Sequence, residues 1–231
     1  KNIKGKIVFY NVYFDHKHLS TGTCYGETVT YRYSGPSKAA KYGAVATIVR
    51  SMSSINNDFP HTGVMGYDTV LTKNKIPACA ISFSGADKLL EELKNNPALT
   101  INLKMSCQML PKELSYNVVG EIKGSEKPNE IIMAGGHLDA WDNGQGAHDD
   151  GAGVVQAIEV LAMYKKQNIK PKHTIRAVAF MNEENGGAGG KAYFEDTKTK
   201  QLKHIAALES DAGGFSPRGI GVDTTMGAYK T

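Results

Sequence analysis

The sequence predicts an α/β fold: a mostly parallel sheet with helices on both faces, preceded by a small β-rich module. Two observations of pattern and one of composition predict it. From residue 110 onward, short apolar runs alternate with segments of helical periodicity, and strand–helix alternation builds parallel sheets covered on both faces. Before that point, apolar runs outnumber helical stretches. Hydrophobic residues make up 41% of the 231 residues and charged residues 22%, enough apolar material for one large or two small cores and too little charge for a disordered chain. The reading therefore divides the chain into residues 1–109 and 110–231.

In the first region, Ile7-Val8-Phe9-Tyr10, Ala44 to Val49 and Ile76 to Ser82 read as strands. Ala86 to Leu93 reads as a short helix with Leu89, Leu90 and Leu93 on one face. Thr100 to Met105 alternates and predicts a closing strand. In the second region, Tyr116 to Ile122 and Ile131 to Ala134 are strands separated by a polar turn. A glycine-rich loop between Gly135 and Gly151 follows. The next helix places Val154, Ile158 and Leu161 at i, i+4 and i+7. Thr174 to Met181 is a strand, Lys191 to Thr197 a helix and Ile205 to Leu208 a strand.

Several function classes are set aside by composition. The net charge of +4 is modest and its lysines are scattered, so no basic stripe with interleaved aromatics marks a nucleic-acid surface. No run is long and apolar enough to span a membrane. Cys24, Cys79 and Cys107 form no Cys-x-x-Cys pair, which argues against a zinc ribbon. Their odd number argues against a disulfide framework and leaves open one Cys24–Cys107 bridge. Cys79 lies in an apolar run and reads as a small core residue.

Functional groups of an open α/β sheet gather beyond the carboxyl ends of its strands. By that rule, the strand at 131–134 delivers His137 and Asp139, the following loop delivers Asp149 and Asp150, the strand at 174–181 delivers Glu183 and Glu184, and the strand at 205–208 delivers Glu209 and Asp211. Histidine, aspartate and glutamate meeting at one edge is the donor set of a nitrogen- and oxygen-ligated zinc site. Asp139, two residues after His137, can orient the second ring nitrogen of a ligating histidine. Adjacent Glu183 and Glu184 point opposite ways in an extended segment, so one can bind metal while the other serves as base.

Four ordered strings carry a resemblance: Gly135-Gly136-His137-Leu138-Asp139-Ala140-Trp141-Asp142, Gly146-Ala147-His148-Asp149-Asp150-Gly151-Ala152-Gly153, Met181-Asn182-Glu183-Glu184-Asn185-Gly186 and Glu209-Ser210-Asp211-Ala212-Gly213. Together they resemble the co-catalytic di-zinc exopeptidases, of the carboxypeptidase Q, glutamate carboxypeptidase and bacterial aminopeptidase type. Residues 1–109 resemble the protease-associated domain that several members carry, through Gly43-Ala44-Val45, Pro60-His61-Thr62-Gly63 and Ile76-Pro77-Ala78. The resemblance implies a zinc-dependent exopeptidase that hydrolyses terminal bonds of dipeptides or short peptides with a metal-activated water. It implies that His137 and Asp211 bind one zinc, Asp149 bridges two, Glu184 binds the second, Glu183 is the general base and Asp139 orients His137. It also implies a cis Asp149–Asp150 peptide, a peptide substrate, a homodimer as in several members, and an extracellular, periplasmic or lysosomal location.

The family brings a further histidine to the second zinc from a later loop, and no histidine follows His204 in this sequence. The chain thus reads as a piece of a longer protein, with an incomplete site and no activity by itself. Other residues receive plainer readings. Glu209 is structural rather than a ligand, His148 is loop structure, His61 is a turn histidine and Trp141 packs a loop near the cleft. The run Gly186 to Gly190 lacks the Gly-Lys-Ser/Thr ending of a phosphate loop and reads as a turn into a helix. Two other functions compete with the peptidase: a non-catalytic ectodomain, and acyl transfer of the glutaminyl cyclase type.

Overall fold

Strand β1 (Ile7–Tyr10), β2 (Ala46–Arg50) and β3 (Ala78–Ile81) are runs of β-branched, aromatic and small apolar residues, and they pair in parallel in the order β1-β2-β3. The computed structural model that shows this describes residues 2–61, 63–211, 213–217 and 219–224. The chain divides into two units, Lys1–Lys112 and Glu113–Thr231.

In the first unit β2 is central and buried along its whole length, as a strand covered on both faces must be. Three helices accompany the sheet: α1 (Thr21–Tyr33), α2 (Gly35–Lys41) and α3 (Phe83–Asn95). Ser82 caps α3 by accepting the Gly85 N–H at 3.0 Å; such caps satisfy one of the orphan amides of a first helical turn. Phe83 and Ala86 are buried on α3, with Leu89, Leu90 and Leu93 partly buried. Phe14, Cys24, Val49 and Met52 form one apolar cluster, and Ala39, Ala40, Ala44 and Ile76 another.

Two features differ from the sequence reading. Helix outweighs strand in this unit, because α1 and α2 occupy a stretch with no legible helical pattern. Thr100 to Met105 forms no strand: the segment finds no ladder partner among the described residues and is mostly exposed. All three cysteines are free thiols, with Cys24 buried, Cys79 partly buried and Cys107 exposed.

The second unit holds β4 (Val118–Ile122), β5 (Lys127–His137), α4 (Gly151–Lys166), β6 (His173–Phe180), α5 (Ala188–Thr199) and β7 (Lys203–Glu209). The sheet order is β4-β6-β5-β7, with β4 antiparallel to β6 and the other pairs parallel. Side-chain alternation separates the two helices. Gly120 and Gly136 look onto α4, next to Leu161 and the Val154 backbone, whereas Phe180 and Arg176 look onto Tyr193 of α5. The loop leaving β5 thus runs to one face and the loop leaving β6 to the other. The crevice at this reversal, beyond the carboxyl ends of β5 and β6, is where open α/β sheets place their sites. The buried face of α4 centres on Gly153 and Ala157, so Ile158 points outward rather than into the core. No helix among the described residues is long and apolar enough to cross a membrane.

Candidate metal centre

Strand β5 runs three residues past the expected end, through Gly135 and Gly136 to His137. Helix α4 begins directly beneath this end, capped by Asp150. The approach is too close for side chains. A Cβ on Gly136 would lie 2.7 Å from the Val154 nitrogen, and one on Gly153 would run into the Ser210 carbonyl and the Asp150 carboxylate. Glycine at both positions therefore lets strand and helix meet.

His137 is buried, and both ring nitrogens are engaged. Nδ1 meets the Asp139 carbonyl oxygen at 2.8 Å. Nε2 faces a carboxylate group: Asp149 Oδ1 at 3.0 Å, Asp211 Oδ1 at 3.1 Å and Glu183 Oε2 at 4.0 Å. A hydrogen bond on one imidazole nitrogen fixes the tautomer and directs the other, which is how metal-binding histidines are held. Burial opposes protonation of His137, but the Asp139 carbonyl and the charges of Asp211 and Asp150 outweigh it and push the imidazole up to about 9. The surroundings of Nε2 thus favour a positive charge there.

Asp139 acts differently from the expectation. Its carbonyl, not its carboxylate, holds His137; the carboxylate stays 3.9 Å from Nδ1. That carboxylate instead accepts the Glu183 N–H at 2.9 Å and the Glu184 N–H at 3.2 Å. One residue therefore fixes the histidine and the acidic pair together.

Asp150 is fully buried, and both of its oxygens are spent on backbone amides. Oδ2 accepts the His137 N–H at 2.8 Å and Oδ1 the Gly153 N–H at 3.0 Å. Burial raises its carboxyl above the usual range, against the pull of these two amides. It lies within ligand distance of His137 and Asp211, yet its occupied oxygens make it a support. Asp149, joined to it by a cis peptide bond, turns its exposed carboxylate toward Nε2.

Glu184 has one oxygen, Oε1, that is buried without a hydrogen-bond partner among the described residues. Burial raises its carboxyl, and the charges of Asp149 and Glu183 raise it further. A buried, unpartnered carboxylate oxygen among other carboxylates is costly unless a cation is its partner. His137, Glu183 and Glu184 lie within ligand distance of one another. The donors are all nitrogen and oxygen, the set that suits zinc, so the residues fit a metal by chemistry and by this orphaned oxygen.

The structure brings His137, Asp139, Asp149, Glu183, Glu184 and Asp211 together around the His137 ring, beyond the ends of β5, β6 and β7. Glu209 flanks this cluster, its carboxyl raised by burial and then by Asp211, Asp150 and Glu183. The His148 ring packs against Phe215 at a tilt of 58°, with centroids 5.2 Å apart. The His61 amide donates to Ser51 Oγ at 2.8 Å. Two residues have supporting roles that the sequence reading did not assign. Asp150 was marked by its position just before a helical run, a cap signal. Asn117, which ties the Glu183–Glu184 loop, had no local signal.

Residues 117–230 match Peptidase family M28. The chain is 41% identical to carboxypeptidase Q of Xenopus laevis over 221 residues, which is 95% of this chain and 45% of that protein. Among solved structures it resembles a Peptidase M28 precursor from Shewanella amazonensis SB2B, with a TM-score of 0.78, 38% identity and coverage of 91% of this chain and 47% of that one. It shares its fold with a zinc aminopeptidase from Bacillus subtilis, with a TM-score of 0.53, 17% identity and coverage of 91% and 45%. The chain spans a little under half the length of these proteins.

Proposed function

This chain belongs to peptidase family M28 through residues 117–230, and from that premise we propose that it is part of a zinc-dependent exopeptidase acting on dipeptides or short peptides. The observation that carries the reading is the convergence of Asp149 and Asp211 on Nε2 of buried His137, within 3.1 Å, beside the unpartnered Glu184 oxygen. His137 and Asp211 would hold one zinc, Asp149 would reach both metals, and Glu184 would hold the second. Bound zinc supplies Lewis-acid chemistry, acidifying water and polarising a carbonyl.

The remaining work falls to the chain's own groups. Glu183 keeps its backbone tied to Asp139 while its half-exposed carboxylate faces the cluster. A carboxylate so placed takes a proton from the attacking water through Oε2 and returns it to the leaving amine nitrogen. Asp139 holds His137 through its carbonyl and Glu183 through its carboxylate, which keeps ligand and base in register. The first unit we read as a protease-associated domain. That reading rests on the strings at residues 43–45, 60–63 and 76–78; the alignment with carboxypeptidase Q of Xenopus laevis, over 95% of this chain, takes in this unit as well.

The test uses the full-length protein with simple dipeptides, with and without a chelator, against Glu183→Gln. Chelator-sensitive hydrolysis that falls by about 10²–10⁴-fold in Glu183→Gln, with zinc still bound, is the expected result. Zinc-loaded protein that hydrolyses no dipeptide would sink the reading and favour an ectodomain or an acyl-transfer enzyme.

A further inference from the structure

The segment that presents Glu183 and Glu184 is a loop with a neck. At the neck the Gly189 N–H donates to the Met181 carbonyl at 2.9 Å. Inside the loop, the Gly187 N–H donates to the Asn182 carbonyl at 2.6 Å and the Gly186 N–H to the Glu183 carbonyl at 3.1 Å. The neck is closed a second time from outside. Asn117, one residue ahead of β4, accepts the Met181 N–H on Oδ1 at 2.9 Å and donates from Nδ2 to the Gly189 carbonyl at 2.8 Å. Its amide spends one acceptor and one donor on the two residues that bound the loop. The seat is closely fitted, since a Cβ on Gly189 would strike the Asn117 oxygen and lie 2.6 Å from the Met181 nitrogen.

Asp139 holds the same loop at its tip, through the Glu183 and Glu184 amides. The loop is thus fixed at tip and neck by two side chains from different strand ends. The Asn117 side chain makes no hydrogen bond to the clustered carboxylates, and its side-chain hydrogen bonds among the described residues are these two. We infer that Asn117 is a positioning residue, whose side-chain amide closes the neck of the Glu183–Glu184 loop and sets where Glu184 meets metal and where Glu183 meets substrate. This rests on the reading of Glu183 as base and Glu184 as ligand given above.

Supporting groups of this kind change metal affinity or activity by about 10–100-fold when removed. The experiment titrates zinc from the full-length protein with chelators of graded strength and measures kcat and KM for a dipeptide. Glu184→Gln identifies which step of zinc loss belongs to the Glu184 position. Asn117→Ala is expected to weaken that step about tenfold or more, to leave the other step within about twofold, and to lower kcat about 10–100-fold with KM little changed. Asn117→Asp keeps the acceptor for the Met181 N–H and the side-chain volume. It is expected to fall between wild type and Asn117→Ala, and it carries the comparison if the alanine variant does not fold. Loss of both zinc steps together, or zinc retention and kcat both within about twofold of wild type, would overturn the inference while leaving the roles of Glu183 and Glu184 standing. If instead Glu184→Gln releases no zinc more readily than wild type, the ligand reading of Glu184 fails and takes the inference with it.

Discussion

At the residue scale, the centre is governed by which polar atoms are spent and which are left over. Asp150 spends both carboxylate oxygens on buried amides, so its removal strands the His137 and Gly153 N–H groups. Asp150→Ala is expected to cost about 2–3 kcal/mol, combining a lost cap with unsatisfied buried donors. Chemical denaturation of the metal-free protein measures it. Asp150→Asn, which keeps one acceptor, should cost less. His137 gives a pH signature with a definite sign. Its imidazole is pushed up to about 9 from an ordinary 6.5, so folding favours its proton. That stabilisation is complete below about pH 6.5 and is lost as the pH rises through about 9. Metal-free protein should lose stability across this window, and the loss should flatten in His137→Gln. Zinc uptake at neutral pH should accordingly release the His137 proton, which a weakly buffered indicator titration detects.

At the element scale, α4 owes its position to small residues. Gly153→Ala would favour an isolated helix by about 1 kcal/mol. Here the added methyl meets the Ser210 carbonyl and the Asp150 carboxylate, so the substitution is expected to lower the melting temperature instead. The second unit's strands and helices were legible because apolar periodicity and glycine punctuation agreed along β5, α4, β6 and α5. The phase of α4 was not: Ile158 fits the i+4 position by pattern, yet Gly153 and Ala157 take the buried face because they alone permit close approach. In the first unit, α1 is built of Thr, Tyr and Gly, which are poor helix formers. Its helix depends on burying Cys24 and Thr28, a contact that local pattern does not display. The strand-end positions of His137, Glu183, Glu184 and Asp211, and the loop position of Asp149, made these residues candidates for the site. Asn117 was not among them, because its partners lie 64 and 72 residues away.

At the scale of the whole molecule, the division into two units has a stretch of plain chain at its boundary. Residues 101–117 belong to no helix or strand, and nearly all are exposed. Exposed backbone without ladder or helix bonds is where proteases enter first. Brief trypsin treatment is expected to cut after Lys104 or Lys112 before it cuts within either sheet, as mass spectrometry of the early fragments would show. Early cleavage inside β2 or β6 would contradict the two-unit division.

Asp139 is a single pivot serving two levers. Because its carbonyl steers His137 while its carboxylate grips the Glu183–Glu184 backbone, any shift of this residue moves the His137 imidazole and the acidic pair in concert. Under the roles proposed above, a redesign that displaced Asp139 to retune metal preference at His137 would move the Glu183 carboxylate as well. Metal preference and proton transfer are therefore expected to drift as a pair across engineered libraries, with compensating changes collecting around residue 139.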